Sequence, residues 1–295
     1  MNTIGPLIIN IDGVTLSKDE AKLLEHNLIG SVILFSHNYN NFKQLGKLIT
    51  EIKNVKENIL ISVDHEGGRI QRFKDGFTVL PSFGEIGRLY DDDEEFAESL
   101  SAACGFVSGY ELSKIGVDVN FSPVVDIKHF SGQLLHDRCF GERAAKVRRL
   151  ASSYISASTL ARTIPVIKHF PGHGVTDGDT HIDHISSDLT LEDMLDEDLI
   201  PFIDIQSSYD IPIMTSHIKF PKVDEKIITY SQKWLTDISK KIFPKKPCFI
   251  SDDIEMEAAT NNETITQRVI SALEAGCNMV IATTMLQQDI IKSKK

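Results

Sequence analysis

The segment from Lys168 to His184 carries the densest set of titratable side chains in the chain. It reads KHFPGHGVTDGDTHIDH and holds four of the ten histidines, three aspartates and three glycines. Within it, Asp179 precedes His181 by two residues, a spacing that lets the carboxylate orient the imidazole and fix its tautomer. A histidine held in this way is suited to proton transfer near neutral pH. The spacing predicts an acid/base pair in a loop that bends around a ligand.

A metal site is the alternative interpretation of the same loop. His169 and His173 are four residues apart and would share one face of a helix, but the intervening proline and glycine disfavour helix formation. Without a helix or a third placed ligand, the spacing is a weak zinc signal. A metal-dependent barrel hydrolase therefore stays open as the second hypothesis.

Other polar clusters also follow short apolar runs. They are DHEGGRIQR at 64–72, Asp126 followed by HDR at 136–138, Ser216 with His217, and SDD at 251–253. The first combines Asp64 and Glu66 with Arg69 and Arg72, a mixed-charge set suited to binding hydroxyl groups. His217 is equally compatible with a hydrogen-bonded core histidine.

Asp252 and Asp253 form a double carboxylate at the end of an apolar run. Burying two acids there costs desolvation free energy unless the site uses them. A lone Ser251 would be an ordinary helix N-cap, but the two adjacent acids indicate a functional site.

The composition excludes several classes of partner. The chain has 295 residues and a formal net charge of -11, which disfavours nucleic acid or an anionic membrane as the main partner. The opening MNTIGPLIINID lacks the basic region of a signal peptide, and no apolar run is long enough for a membrane helix. Four scattered cysteines without CxxC spacing are typical of buried thiols. We therefore expect a cytoplasmic protein without disulfides.

Eight short apolar runs alternate with longer amphipathic stretches along the chain. The runs are PLIINI, SVILFS, ILISVD, VDVNFSPVVDI, TIPVIKHF, IPIMTSHI, PCFISDD and NMVIAT. Continuous apolar runs of this length fit parallel strands buried on both faces. The pattern predicts an α/β fold, a single-domain (β/α)8 TIM-type barrel over residues 1–295, with a truncated last helix in the closing MLQQDIIKSKK.

A doubly wound open sheet is the rival architecture, but no GxGxxG motif follows the first run. In a (β/α)8 barrel, all of the polar clusters would lie at the carboxyl ends of the strands. We therefore expect them to converge on one pocket.

The motifs together resemble those of glycoside hydrolase family 3, and within it the bacterial β-N-acetylglucosaminidases of cell-wall recycling. The similarity covers nearly the whole chain, with the motifs in the order of the family. They are VDHEGGRIQRF, NFSPVVDI, DRCFG, KHFPGHG, the Asp-x-His pair, MTSH, SDDIEMEAA and ALEAGCNMV.

This resemblance implies a role for each matching residue. Asp252 corresponds to the catalytic nucleophile, His181 to the general acid/base and Asp179 to the carboxylate that orients it. The implied binding residues for the non-reducing N-acetylglucosamine are Asp64, Arg72, Arg138, Lys168 and His169. No metal or other cofactor is implied, and a histidine would replace the carboxylic acid that retaining glycosidases usually employ as the proton donor.

The resemblance further implies a substrate and a setting. The expected partner is a small-molecule saccharide derived from muropeptides, N-acetylglucosaminyl-β-1,4-anhydro-N-acetylmuramic acid with or without peptide. Phosphate is a conceivable acceptor in place of water, and the expected assembly is a monomer or weak homodimer. His65, Val175 and Thr180 depart from the common family residues without removing a catalytic group. A catalytically inactive sugar-binding protein is the third hypothesis.

Overall fold

The computed structural model describes residues 4–129, 135, 137–175, 183–260 and 263–283. Eight strand positions follow the eight apolar runs, in the predicted order. The strands are β1 (Leu7–Ile9), β2 (Ile29–Leu34), β3 (Leu60–Val63), β4 (Val119–Asn120), β5 (Ile164–Pro165 and Ile167–Phe170), β6 (Ile213–Thr215), β7 (Phe249–Asp253) and β8 (Met279–Ile281).

All neighbouring strands of this sheet are parallel, and the sheet closes through β5. The first segment of β5 pairs with β4 through Val119 and Ile164, whereas its second segment pairs with β6 through Ile167 and Ile213. At the other side of the circuit, β1 lies between β2 and β8. The nine hydrogen-bonded segments therefore form an eight-stranded barrel, and the barrel prediction is confirmed.

Helices surround the barrel. They are α1 (Lys18–Leu24), α2 (Phe42–Val55), α3 (Phe83–Asp92), α4 (Glu94–Ile115), α5 (Ala144–Leu160), α6 (Leu191–Asp196), α7 (Ile200–Ser208), α8 (Ser239–Ile242) and α9 (Ile265–Ala275). A π-helix at Lys233–Ile238 leads into α8, and short 3-10 turns cover Ser36–Asn38, Ile228–Tyr230 and Glu257–Ala259. Two short antiparallel ribbons follow β3 (His65–Gly67 with Ile70–Gln71) and β6 (Lys219–Phe220 with Asp224–Ile227).

Apolar side chains fill both faces of the barrel wall. One cluster unites residues from several strands and their ends: Ile8, Ile33, Val119, Phe121, Val166, Met214, Ile250 and Ile281. A larger cluster joins the opposite strand faces to the helices. Burial on both faces explains why the strands are continuous apolar runs rather than alternating ones.

Several elements differ from the sequence-based expectation. The run at 117–127 forms a strand only at Val119–Asn120, with one later bridge from Val124 to Lys168, because Pro123 has no N–H to contribute to the ladder. The short helices α3, α6 and α7 were not predicted. The predicted truncated last helix lies outside the described residues. Among the described helices, none is both long and apolar enough to cross a bilayer.

Candidate active site

Residues from four of the five polar clusters line one cavity of about 410 Å³ at the carboxyl ends of the barrel strands, whereas Ser216 and His217 do not line it. The cavity is lined by Ile33, Phe35, Asp64, Arg69, Ile70, Arg72, Phe121, Leu135, Arg138, Lys168, His169, His173, Met214, Asp252, Asp253, Met256 and Ile281. All six of the predicted site residues that the structure describes are in this lining. The other two, Asp179 and His181, lie outside the described residues.

At the ends of β3 and β5, Asp64 is held between two cations. Lys168 Nζ lies 2.7 Å from Asp64 Oδ1, and a terminal nitrogen of Arg72 lies 3.3 Å from Asp64 Oδ2. Burial alone would raise the pKa of Asp64, but Lys168 and Arg72 hold it well below the usual range of an aspartate. Asp64 is therefore ionised and fixed, so that it can accept hydrogen bonds from ligand hydroxyl groups without rearranging.

Asp64 and Glu66 together with Arg72, Arg138 and Lys168 form an ion-paired cluster, here called the wall. Glu66 binds two of its three cations and shares Lys168 with Asp64. Arg138 donates from Nε to Oε2 at 2.9 Å and from a terminal nitrogen to Oε1 at 2.8 Å, and Lys168 Nζ lies 2.8 Å from Oε1. Burial would raise the pKa of Glu66, but Arg138 and Lys168 lower it to about 2. The sequence suggested Glu66 as a hydroxyl-binding residue, whereas the structure buries it as a support for Arg138 and Lys168.

His169 is oriented by Asp126, a fully buried carboxylate on the segment after β4. Asp126 Oδ2 lies 2.7 Å from His169 Nδ1, and Asp126 Oδ1 accepts hydrogen bonds from the backbone N–H groups of His169 and His173. Burial would raise the pKa of Asp126, but the two histidines lower it. If Nδ1 carries the proton of the neutral ring, Nε2 becomes a hydrogen-bond acceptor at the cavity.

Asp252 lies near the end of β7 and faces the wall of ion pairs across the cavity. One of its oxygens accepts a hydrogen bond of 2.8 Å from the backbone N–H of Asp253. Burial would raise the pKa of Asp252, but His169 and His217 lower it. Within the described part of the chain, no side chain forms an ion pair or hydrogen bond with this carboxylate.

The next residue, Asp253, has the opposite electrostatic character. Burial raises its pKa to about 6, although Thr283 Oγ1 donates to Oδ2 at 2.6 Å and the backbone N–H of Glu255 donates to Oδ1 at 3.0 Å. Two adjacent aspartates with pKa values shifted apart are suited to different tasks. Asp252 is the one whose ionised form the surroundings favour.

His217 is a fully hydrogen-bonded buried histidine. Nε2 lies 2.9 Å from the carbonyl oxygen of Asp253, and Nδ1 lies 2.9 Å from Thr229 Oγ1. Burial lowers its pKa. Its contact with the carbonyl oxygen of Asp253 stabilises the end of β7, the strand that carries Asp252. His217 also borders a second cavity of about 740 Å³.

Charge is distributed unevenly around the site. In the wall, Arg72, Arg138 and Lys168 meet two carboxylates, which leaves one positive charge in excess. The field of Lys168 contributes to keeping Asp252 ionised. Among the described residues, no three His, Cys, Asp or Glu side chains are grouped closely enough to hold a metal ion.

Comparisons with known proteins agree along the whole chain. The family model "Glycosyl hydrolase family 3 N terminal domain" matches residues 5–293. A β-hexosaminidase of Nitrosomonas eutropha is 38% identical over 279 residues, which is 94% of this chain and 80% of that protein.

Solved structures agree with the sequence relatives. Native NagZ from Neisseria gonorrhoeae superposes with a TM-score of 0.90 at 33% identity, covering 98% of this chain and 83% of that one. The same protein in complex with N-trifluoroacetyl-D-glucosamine gives a TM-score of 0.91 at 33% identity, with 98% and 84% coverage.

Proposed function

Because the chain belongs to glycosyl hydrolase family 3 and is similar to β-hexosaminidases over nearly its full length, we propose a specific activity. It is a retaining exo-β-N-acetylglucosaminidase that removes non-reducing terminal N-acetylglucosamine from peptidoglycan fragments. The preferred fragment is N-acetylglucosaminyl-anhydro-N-acetylmuramic acid, with or without peptide.

Asp252 carries the proposal. Retaining glycosidases need an ionised carboxylate that can reach the anomeric carbon. Asp252 lies at the carboxyl end of a barrel strand, is kept ionised by its surroundings, and lines the cavity. A carboxylate already engaged with a lysine or arginine would first have to break that ion pair, and Asp252 has no such pair among the described residues.

The wall opposite Asp252 supplies the sugar-binding groups. Asp64 and Lys168 present an acceptor and a donor in fixed positions, which suits the hydroxyl groups of a pyranose ring. Apolar side chains such as Phe35 and Met256 complete the lining. N-trifluoroacetyl-D-glucosamine, the ligand in the similar Neisseria structure, supports an N-acylated glucosamine as the sugar held here.

The reaction proceeds in two displacements. Asp252 attacks the anomeric carbon, the glycosidic C–O bond breaks, and His181 donates its proton to the leaving oxygen. His181 then takes a proton from water, the resulting hydroxide attacks the anomeric carbon, and the ester bond to Asp252 breaks. Asp179 orients His181 in both steps. The roles of His181 and Asp179 rest on their spacing and on the family motif.

Turnover of a chromogenic β-N-acetylglucosaminide, compared with the matching β-glucoside, tests the proposal. We expect release from the N-acetyl substrate only, abolished in Asp252→Ala and strongly reduced in His181→Ala. The assay is repeated after exhaustive chelation, since loss of activity that zinc restores would favour the metal-dependent hydrolase. Saccharide binding without turnover in the folded wild type would favour the inactive sugar-binding protein.

A further inference from the structure

The outward face of α4 exposes an unusual amount of aromatic surface. Four aromatic side chains in the described part of the chain are more than 40% exposed, and three of them lie on this helix: Phe96 at 55%, Phe106 at 47% and Tyr110 at 48%. Phe106 and Tyr110 stack on each other with ring centroids 6.1 Å apart. Exposed apolar patches of this kind mark interaction surfaces.

These residues belong to a regular stripe along the helix. Exposed positions recur alternately after three and four residues, at Phe96, Ser99, Ala103, Phe106 and Tyr110. That spacing is the one by which a helix packs along the length of another helix. The stripe therefore has the form of a helix-pairing seam that no part of the described chain covers.

The opposite face of α4 fixes the helix firmly on the barrel. A Cβ on Gly105 would lie 2.2 Å from the backbone oxygen of Tyr154, so α4 and α5 are in close backbone contact. Ser101 Oγ also donates to the carbonyl oxygen of Leu150 on α5. The seam is thus presented on a rigid support, which lowers the entropic cost of binding a partner.

We propose that the seam pairs with the same seam of a second copy, antiparallel and symmetric about Ala103. The charges at the two ends of α4 select this partner and this direction. Exposed Asp92 lies just before the amino end of α4, and exposed Lys114 lies at its carboxyl end, at mirrored positions about Ala103. Antiparallel pairing about Ala103 places Lys114 of each copy opposite Asp92 of the other, whereas parallel pairing would place Asp92 against Asp92 and Lys114 against Lys114.

The antiparallel arrangement also gives each aromatic side chain a place. Phe96 of one copy lies opposite Tyr110 of the other, next to a groove of about 530 Å³ between the carboxyl ends of α4 and α5. Phe106, Tyr110 and Leu160, which is 77% exposed, line this groove. The small Ala103 at the centre lets the two helices approach closely. A surface of one helix face is below the roughly 800 Å² per partner of a standard interface, so the dimer is weak and depends on concentration.

Disulfide trapping tests the symmetry axis. In a Cys248→Ser background, which removes the one exposed cysteine among the described residues, Ala103→Cys should form a covalent dimer of twice 32.9 kDa under mild oxidation. Ser99→Cys is the matched control on the same stripe. Four residues from the axis, its two copies lie about 12 Å apart along the helices, beyond the roughly 7 Å that a disulfide spans. Equal cross-linking of the two variants would overturn the proposal.

Sedimentation over a range of concentrations tests the partner. The wild-type mass should rise toward twice 32.9 kDa as the concentration increases. Phe106→Glu should raise the dissociation constant of the dimer at least tenfold, and the variant should keep the melting temperature of the wild type. Lys114→Glu should also weaken dimerisation, because it places an acidic side chain opposite Asp92 of the other copy, and Lys114→Glu combined with Asp92→Lys should restore it. A wild type that stays monomeric at every concentration, or a double variant no better than Lys114→Glu, would overturn the proposal.

Discussion

Two sides of the cavity use charge in different ways. On the β3 and β5 side, Asp64 and Glu66 are each in contact with two cations at hydrogen-bond or ion-pair distance. On the β7 side, Asp252 receives one described hydrogen bond, from the backbone of its neighbour. All three carboxylates have lowered pKa values, but only Asp252 reaches this state without an ion pair in the described part of the chain, through its neighbours His169, His217 and Lys168 and the backbone N–H of Asp253.

We propose that this difference separates a binding side from a reacting side. A carboxylate locked in ion pairs is a fixed hydrogen-bond acceptor, whereas a carboxylate stabilised at a distance keeps its oxygens available for attack. The excess positive charge of the wall supports the ionised Asp252 without touching it.

Asp252→Asn should remove nearly all activity while leaving the fold intact. The amide has the shape of the carboxylate but cannot form the glycosyl ester, and loss of a nucleophile costs on the order of 10⁴- to 10⁶-fold in kcat. Steady-state turnover of the chromogenic N-acetylglucosaminide measures the loss. Asp253→Asn is the matched control, and comparable losses in both variants would contradict the division.

Lys168→Met should destabilise the protein by about 3–5 kcal/mol, because it leaves two buried carboxylates short of a cation. Lys168 is 2% exposed and contacts both Asp64 and Glu66. Denaturant unfolding measures the change. The control is Lys47→Met on the surface of α2, whose ion pair with Glu51 is largely solvated and contributes at most about 0.5 kcal/mol. Equal changes in the two variants would show that the wall is not a coupled ion-pair network.

His65→Gln should reduce the loss of stability on acidification. His65 lies between the two wall carboxylates in sequence, but its ring is buried against Phe73 and Phe77, and burial lowers its pKa to about 3. The unfolded chain therefore binds a proton below pH 6.5 that the folded protein does not, and stability falls as the pH falls.

His65→Gln removes this pH-dependent loss of unfolding free energy, which is on the order of 2–3 kcal/mol between pH 7 and pH 4. Urea unfolding at both pH values measures it, and the difference between the two values is the readout. An unchanged difference would mean that burial of the ring does not keep it neutral.

Asp253→Asn should change the pH dependence of the free energy of unfolding in the sense opposite to His65→Gln. Because burial raises the folded pKa of Asp253 to about 6, the folded protein binds a proton between pH 4 and pH 6 that the unfolded chain has lost. Wild-type stability from this group thus falls as the pH rises through that window. The variant should gain about 1–2 kcal/mol relative to the wild type across it, discounted because Asp253 is partly exposed to the cavity. Parallel stability curves would show that burial does not raise the pKa of Asp253 in the folded protein.

The barrel and the position of the site were predictable from the sequence for a physical reason. Strands buried on both faces leave continuous apolar runs, and the parallel order brings their carboxyl ends to one side. The polar clusters after those runs therefore had to lie together. Short helices such as α6 (Leu191–Asp196) depend on a local capping box at Thr190 and leave too little periodic pattern to be predicted.

Contacts between distant residues could not be predicted. Asp126 and His169 are 43 residues apart, and nothing local links the carboxylate to the ring that it orients. Glu66 was noted as one of a mixed-charge set, but its burial behind Arg138 follows only from the folded geometry. Likewise, adjacent Asp252 and Asp253 look equivalent in the sequence, and the resemblance to the family alone selected Asp252.

Covalent trapping tests directly whether Asp252 is the nucleophile. In a 5-fluoro N-acetylglucosaminyl fluoride, the ring fluorine slows both displacements. The anomeric fluoride is a good leaving group, so the first displacement still occurs and the glycosyl-enzyme should accumulate. We predict a mass increase of one fluorinated N-acetylglucosaminyl group on the intact protein, mapped by fragmentation to Asp252 and absent from Asp252→Asn. A label on Asp253, or turnover of the probe by Asp252→Asn at the wild-type rate, would contradict the assignment of Asp252 as the reacting carboxylate.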